Sequence, residues 1–167
     1  MDGLDNFQLG ETDELVNVVS RDDCQALSHA LASQAKRSLA IFSHDLEPSI
    51  YNSAAFYEAA RNVIGKDPNA MIRILVYDIS RTIIRGHRLL DLGQRLPSRV
   101  QIRKLPRKYH HAFLVADDIG VLDRRRAERY EATANFNAPG WANNLLHFFD
   151  GVWEQSTRTS EVHSLNI

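Results

Sequence analysis

Strand-like apolar segments alternate with helical patterns along the first hundred residues, and few folds satisfy this alternation. The nearly continuous apolar run at residues 71–77 is typical of a strand covered on both faces, and so of the middle of a sheet. Strands are also predicted at 14–19, 39–43 and 100–104, and helices at 20–37, 53–65, 81–96 and 140–155. The order predicts an α/β fold, with a mixed, mostly parallel sheet and helices on both faces.

The 167 residues are 44% hydrophobic and 25% charged, which fits one globular domain. We expect a flexible lead over residues 1–12, a single domain over 13–156 and a frayed tail over 157–167. No run of about 18 apolar residues and no signal-peptide pattern occurs, so we expect no membrane span and a cytoplasmic location. The tryptophans, Trp141 and Trp153, are expected in the core or a dimer seam.

Charge is strongly segregated along the chain. Residues 81–130 carry 13 lysines and arginines against 5 acids, whereas residues 1–50 carry 3 against 9. Such a basic region can attract an anionic ligand, and phosphate esters and nucleic acids are the usual candidates. The arginines at 124–126 read as an exposed hairpin tip, which either contacts nucleic acid or is a solvated turn.

A histidine-headed stretch at residues 109–118 leads into a return segment that ends at Asn137. It predicts a strand that begins with the histidines, an acidic turn and a second strand that ends in small polar residues. A histidine held at the start of a rigid strand can bind or attack a phosphate. His44 follows the strand at 39–43, where open α/β sheets place their crevice, and is therefore a candidate pocket residue.

In element order and in this stretch the chain resembles one half of the phospholipase D-like superfamily of phosphodiesterases and nucleases, most of all an uncharacterised bacterial single-copy group. The family motif is a histidine, any residue, a lysine, four residues and an aspartate, followed downstream by glycine-serine-any residue-asparagine. His110 and Asp117 take the histidine and aspartate places, and Ala112 stands in the lysine place. Thr133 and Asn135 stand for the serine and asparagine.

The resemblance implies a catalytic role for His110 and Asp117, which we expect to converge with Asn135 at the carboxyl edge of the sheet. In the family, histidines from two motif copies face each other: one attacks phosphorus and the other protonates the leaving oxygen. Because this chain has one copy, the resemblance implies a homodimer. A shift by one residue, with His111, Phe113 and Asp118 in the three places, still lacks the lysine.

The absent lysine decides between two functions, because that cation neutralises the phosphoryl oxygens and its loss commonly costs about a hundredfold or more in rate. Lys108, or Arg103 or Arg124 on neighbouring strands, would have to replace it. Phosphate binding is therefore assigned to five residues: Lys108, Arg103, Arg124, Thr133 and Asn135.

The first hypothesis is a degenerate domain that binds a phosphate-containing ligand or nucleic acid without efficient catalysis. The second is a residual phosphodiesterase or nuclease, active as a homodimer with His110 as nucleophile. A scaffolding domain is a third, weaker possibility. Two adjacent turn acids, Asp117 and Asp118, do not make a metal site without a further ligand in register, so we expect neither a metal nor another cofactor.

Overall fold

The computed structural model describes residues 3–158, which form one sheet with helices on both faces. The strands are β1 (Val16–Val18), β2 (Ser38–Ser43), β3 (Met71–Val76), β4 (Val100–Lys104), β5 (Ala112–Ala116), β6 (Gly120–Arg124), β7 (Ala132–Asn135) and β8 (Thr157–Arg158). The helices are α1 (Arg21–Gln34), α2 (Pro48–Tyr51), α3 (Ala54–Lys66), α4 (Ser80–Arg85), α5 (Arg88–Arg95) and α6 (Pro139–Gln155). The predicted α/β class is confirmed.

The sheet order is β1-β7-β6-β5-β2-β3-β4-β8. β3 lies between β2 and β4 and pairs in parallel with both, which confirms its predicted central position. The other described neighbours pair in antiparallel. The sheet is mixed as predicted, but the expectation that it is mostly parallel is wrong, because β5 returns beside β2 in the opposite direction.

Two hydrophobic layers lie on opposite faces of the sheet. One packs α1 to α5 against alternate strand residues such as Leu39, Ile41 and Leu114. The other packs α6 against residues that include Phe42 and Phe113, whose rings stack at 5.0 Å. Within the described part of the chain, no helix has the length and apolar character needed to cross a bilayer.

The basic helix predicted over residues 81–96 is two helices. Gly86 has a φ of +82°, which glycine adopts at little cost because it lacks a Cβ, and it ends α4. His87 then caps α5: its Nδ1 accepts a hydrogen bond from the Leu89 amide at 3.1 Å. Its Nε2 donates to the Leu46 carbonyl oxygen at 2.8 Å, so the buried imidazole is neutral.

Residues near both ends of the described part of the chain make defined contacts. Gln34 of α1 accepts the Leu9 amide at 2.7 Å and donates to the Phe7 carbonyl oxygen at 2.8 Å. The Phe7 ring also packs edge-on against Phe136 at 5.5 Å. Of the tail expected to be frayed, residues 157 and 158 pair with β4, and residues 159–167 lie outside the described part of the chain.

His87 makes stability depend on pH. Burial lowers the pKa of its imidazole to about 4, from about 6.5 for an exposed histidine, so the unfolded chain binds the extra proton more readily. This stability is complete above about pH 6.5 and is lost as the pH falls through 4, by on the order of 3 kcal/mol. We expect His87→Gln, which keeps a donor and an acceptor, to flatten the pH dependence of the urea unfolding free energy. Equal slopes in the two proteins between pH 7 and 4 would contradict this.

Candidate functional site

Three of the predicted site residues line one pocket of about 420 Å³ at the carboxyl end of β2 and β3. We call it the histidine pocket, lined among others by His44, Lys108, Tyr109, His110 and Tyr130. His44 directly follows β2, and its ring lies 5.4 Å from that of Tyr77. Lys108 and His110 are exposed and belong to the loop before β5. The structure therefore brings two histidines and an ammonium group to the same opening.

The position that carries a lysine in the family motif is buried in this chain. Ala112 begins β5 and is 2% exposed, so its methyl group lies in packed surroundings. The strand was predicted to begin with the histidines, but His110 precedes it, and its backbone oxygen accepts from the Ala127 amide at 2.6 Å. Among the residues that line the pocket, Lys108, on the same loop as His110, carries a cationic side chain.

Asp117 lies at the opposite end of β5 from His110. Its carboxylate accepts three backbone amides, those of Lys36, Arg37 and Ser38, at 2.8 to 3.0 Å. Asp117 and Asp118 have φ of 52° and 60°, and the Ile119 amide bonds the Ala116 oxygen at 3.0 Å, so the turn is of type I′. Asp117 thus ties this turn to the loop between α1 and β2.

Asn135 does not meet His110 either. It pairs with Val121 on β6, two residues nearer the acidic turn than Asp123. Its side chain is enclosed: it donates to Asp13 at 2.8 Å and accepts the Asn137 amide at 2.9 Å. The expected convergence of His110, Asp117 and Asn135 at one edge is therefore wrong.

Arg103 is not on a strand adjacent to β5, because β2 and β3 lie between β4 and β5. Its guanidinium donates to the Trp153 carbonyl at 2.8 Å and lies 4.4 Å from the centre of that indole ring. It is thus engaged with the last turn of α6, away from the histidine pocket, and its predicted phosphate contact finds no support in this placement.

Arg124 is buried, which corrects the prediction that it is part of an exposed tip. It forms an ion pair with Glu47, and it donates to the carbonyl oxygens of Ala127 and Arg129 at 2.6 to 2.9 Å. Burial alone would lower the pKa of Arg124, but its bonds to Glu47 raise it, so the guanidinium stays charged. Its donors therefore organise the loop after β6 and do not face solvent.

The next arginines do face solvent, and they line a larger concavity of about 770 Å³. We call it the arginine groove; its walls include Arg125, Arg126, Arg129, Thr133 and Trp141, with Leu15 and Val19 at its lip. Thr133 sits opposite Asp123 and donates to Asn17 of β1 at 3.0 Å. Of the residues predicted to bind phosphate, Thr133 is the one that the groove contains.

A polar cluster in the wall of this groove was not predicted. The Asp123 carboxylate is hydrogen-bonded on both oxygens. Its Oδ1 bonds the Nε2 of His111, and its Oδ2 accepts the indole N–H of Trp141 at 3.2 Å. The sequence did contain a signal for this cluster. A hairpin closed by the acidic turn pairs Asp123 with Phe113, so the two side chains lie on the same face of the sheet. His111, two residues before Phe113, lies on that face as well. Trp141 was expected in the core or a dimer seam, yet it is only partly buried and lines the groove.

This architecture is the phospholipase D-like fold. The chain superposes on the phospholipase D family member Nuc from Salmonella typhimurium with a TM-score of 0.63 at 13% identity, covering 87% of this chain and 97% of Nuc. NucT from Helicobacter pylori gives 0.60 at 11% identity, with 87% and 100% covered. The archaeal chromatin protein TrmBL2, whose structure shows a novel mode of DNA binding, gives 0.67 at 12% identity, with 89% and 55% covered.

The chain spans about half of TrmBL2 and about the whole of the two Nuc proteins. Within this fold class it belongs to the family described as a domain of unknown function, DUF7931, whose model matches residues 20–165. A comparison with curated proteins finds no significant match.

The side chain of Asp117 should stabilise the fold through its hydrogen bonds to backbone amides. We expect Asp117→Ala to lower the free energy of unfolding by about 2 kcal/mol, because three amides lose a charged acceptor. Asp117→Asn keeps one acceptor and should lose less. Asp118→Ala is the matched control, since residue 118 has the same left-handed backbone and only a 3.4 Å contact to Ser38. Equal losses for the two alanine variants in urea titrations would show that the amide contacts contribute nothing.

Proposed function

We propose that this protein is a degenerate phospholipase D-like domain that binds the phosphate backbone of nucleic acid without efficient catalysis. The observation that carries the proposal is the exposure of Arg125, Arg126 and Arg129 along one groove. Exposed guanidinium groups bind phosphates with parallel N–H donors and release counterions from the nucleic acid. The cytoplasmic location expected from the sequence is part of the same proposal.

Two features of the fold support binding over turnover. The motif position that carries a lysine in the family holds a buried methyl group, that of Ala112. The two sequence positions expected to complete the site, Asp117 and Asn135, are committed to structural hydrogen bonds away from His110. The arginine groove, in contrast, keeps three exposed arginines, Arg125, Arg126 and Arg129. The structural neighbour TrmBL2 binds DNA, which supports the proposal.

Removal of two groove arginines tests the proposal. We expect Arg125→Ala with Arg126→Ala to weaken binding to a mixed-sequence oligonucleotide about tenfold or more at low salt. The slope of log affinity against log salt should fall by roughly 0.7 to 0.9 for each lost contact. Arg81→Ala with Arg85→Ala is the matched control, because it removes two exposed arginines of α4, outside the groove. Fluorescence anisotropy at several salt concentrations measures both quantities.

Equal weakening in the two double variants would leave only the net charge as the cause and would overturn the assignment to the groove. Absence of binding by the unmodified chain even at low salt would overturn nucleic-acid binding itself.

The second candidate is a residual phosphodiesterase, favoured by the meeting of His44, Lys108 and His110 in the histidine pocket. In that reading His110 attacks phosphorus, a nitrogen–phosphorus bond forms and the ester oxygen leaves with a proton from another histidine. Water then hydrolyses the phosphohistidine. Lys108 supplies the cation that position 112 lacks, and a homodimer supplies the second His110.

Turnover of bis-p-nitrophenyl phosphate decides this second candidate. If the pocket is catalytic, we expect His110→Ala to abolish release of p-nitrophenol and Lys108→Ala to lower it about a hundredfold. His29→Ala, a histidine of α1 outside the pocket, is the control and should leave the rate unchanged. Sedimentation measured alongside reports whether the active species is a dimer. A rate that survives His110→Ala does not depend on His110 as nucleophile and removes this candidate.

A further inference from the structure

The arginine groove has an apolar lining as well as a charged wall. Leu15 and Val19, which flank β1, are 60% and 77% exposed at its lip, and the Trp141 indole lies along its side. A surface that only gathers phosphates does not need aromatic and aliphatic side chains beside its arginines. A ligand that carries anionic groups and flat apolar faces in alternation uses both.

The Trp141 ring is held in place. It is the third residue of α6, and its indole N–H donates to Asp123 at 3.2 Å. The other oxygen of Asp123 is taken by His111, so this carboxylate is bonded from two sides by protein groups. A fixed aromatic ring presents a surface on which a base can stack at little cost in side-chain entropy.

Resting on the nucleic-acid binding proposed above, we infer that the arginine groove takes single-stranded nucleic acid, with a base stacked on Trp141 and the adjoining phosphates on Arg125 and Arg126. A stacked base has to be free of its duplex partners, and base–aromatic stacking with arginine contacts to the backbone is the general mode of single-strand binding. A duplex offers this groove its phosphates alone, because its bases are stacked on one another. Two acids line the groove, Glu131 and Asp123. Glu131 lies 3.7 Å from Arg129, and Asp123 is bonded by His111 and Trp141, so the repulsion that either acid exerts on the strand is reduced.

Replacement of Trp141 tests the inference. We expect Trp141→Leu to weaken binding to an oligothymidylate about tenfold, the order that one lost stacking contact commonly costs. Binding to a duplex of the same length should stay within about twofold. Trp141→Phe should keep most of the affinity for the single strand; since it also loses the bond to Asp123, its retention assigns the effect to the ring. Phe148→Leu removes a partly exposed aromatic of the same helix that lies outside the groove, and should change neither affinity.

The results separate the two levels of the account. Equal loss for single strand and duplex in Trp141→Leu, with thermal unfolding unchanged, would overturn stacking and leave the phosphate contacts standing. Displacement of the oligothymidylate by poly-glutamate at equal charge concentration would identify a site for any polyanion and would also overturn it. Failure of the unmodified chain to bind either nucleic acid would overturn the proposed function, and this inference with it.

Discussion

The buried guanidinium of Arg124 is the interaction on which both candidate surfaces depend. It holds Glu47, from the loop after β2, and the carbonyl oxygens of Ala127 and Arg129, from the loop after β6. The first loop borders the histidine pocket, and the second carries arginines of the groove. Removing one partner of such a buried pair commonly costs roughly 3–5 kcal/mol, because the other charge is left without compensation. Arg124 therefore shapes both surfaces without lining either of them.

In two pairs of neighbouring residues, one side chain has a structural role and the other is accessible to a ligand. Arg124 and Arg125 are adjacent in sequence, yet one side chain points to Glu47 and the other is exposed. The pair His110 and His111 divides in the same way, between an open pocket and a bond to Asp123. In each pair the residue nearer the sheet stabilises the fold, and the residue farther from it is available to a ligand.

The sequence predicted the elements whose signals are local. The bounds of β4 were predicted as observed. The helices predicted over 20–37 and 53–65 begin at Arg21 and Ala54, where the Ser20 and Ser53 hydroxyls accept the amides of Asp23 and Phe56. The break at Gly86 between α4 and α5 was missed, because the helical spacing of apolar residues continues across it. The helix ends there because Gly86 has a positive φ. Strand direction was misjudged for the same kind of reason: the pairing of β2 with β5 joins residues more than 70 positions apart, and no local pattern encodes it.

The sequence identified several candidate site residues but not which of them lie together in the fold. The three arginines at 124–126 look alike in sequence, and only Glu47, 77 residues away, distinguishes the buried one. His44, Lys108 and His110 were each predicted separately, and the structure places them in one pocket because each adjoins a strand end at one edge of the sheet. Asp117 was misread, because a motif fixes the residue and its spacing but not which amides its carboxylate meets.

A structure of the chain bound to a short oligothymidylate tests the central claim most directly. The account predicts phosphate oxygens within hydrogen-bond distance of the Arg125 or Arg126 guanidinium and a thymine ring parallel to the Trp141 indole. A strand seated instead in the histidine pocket, with a phosphorus atom beside His110 and the arginine groove uncontacted, would contradict it.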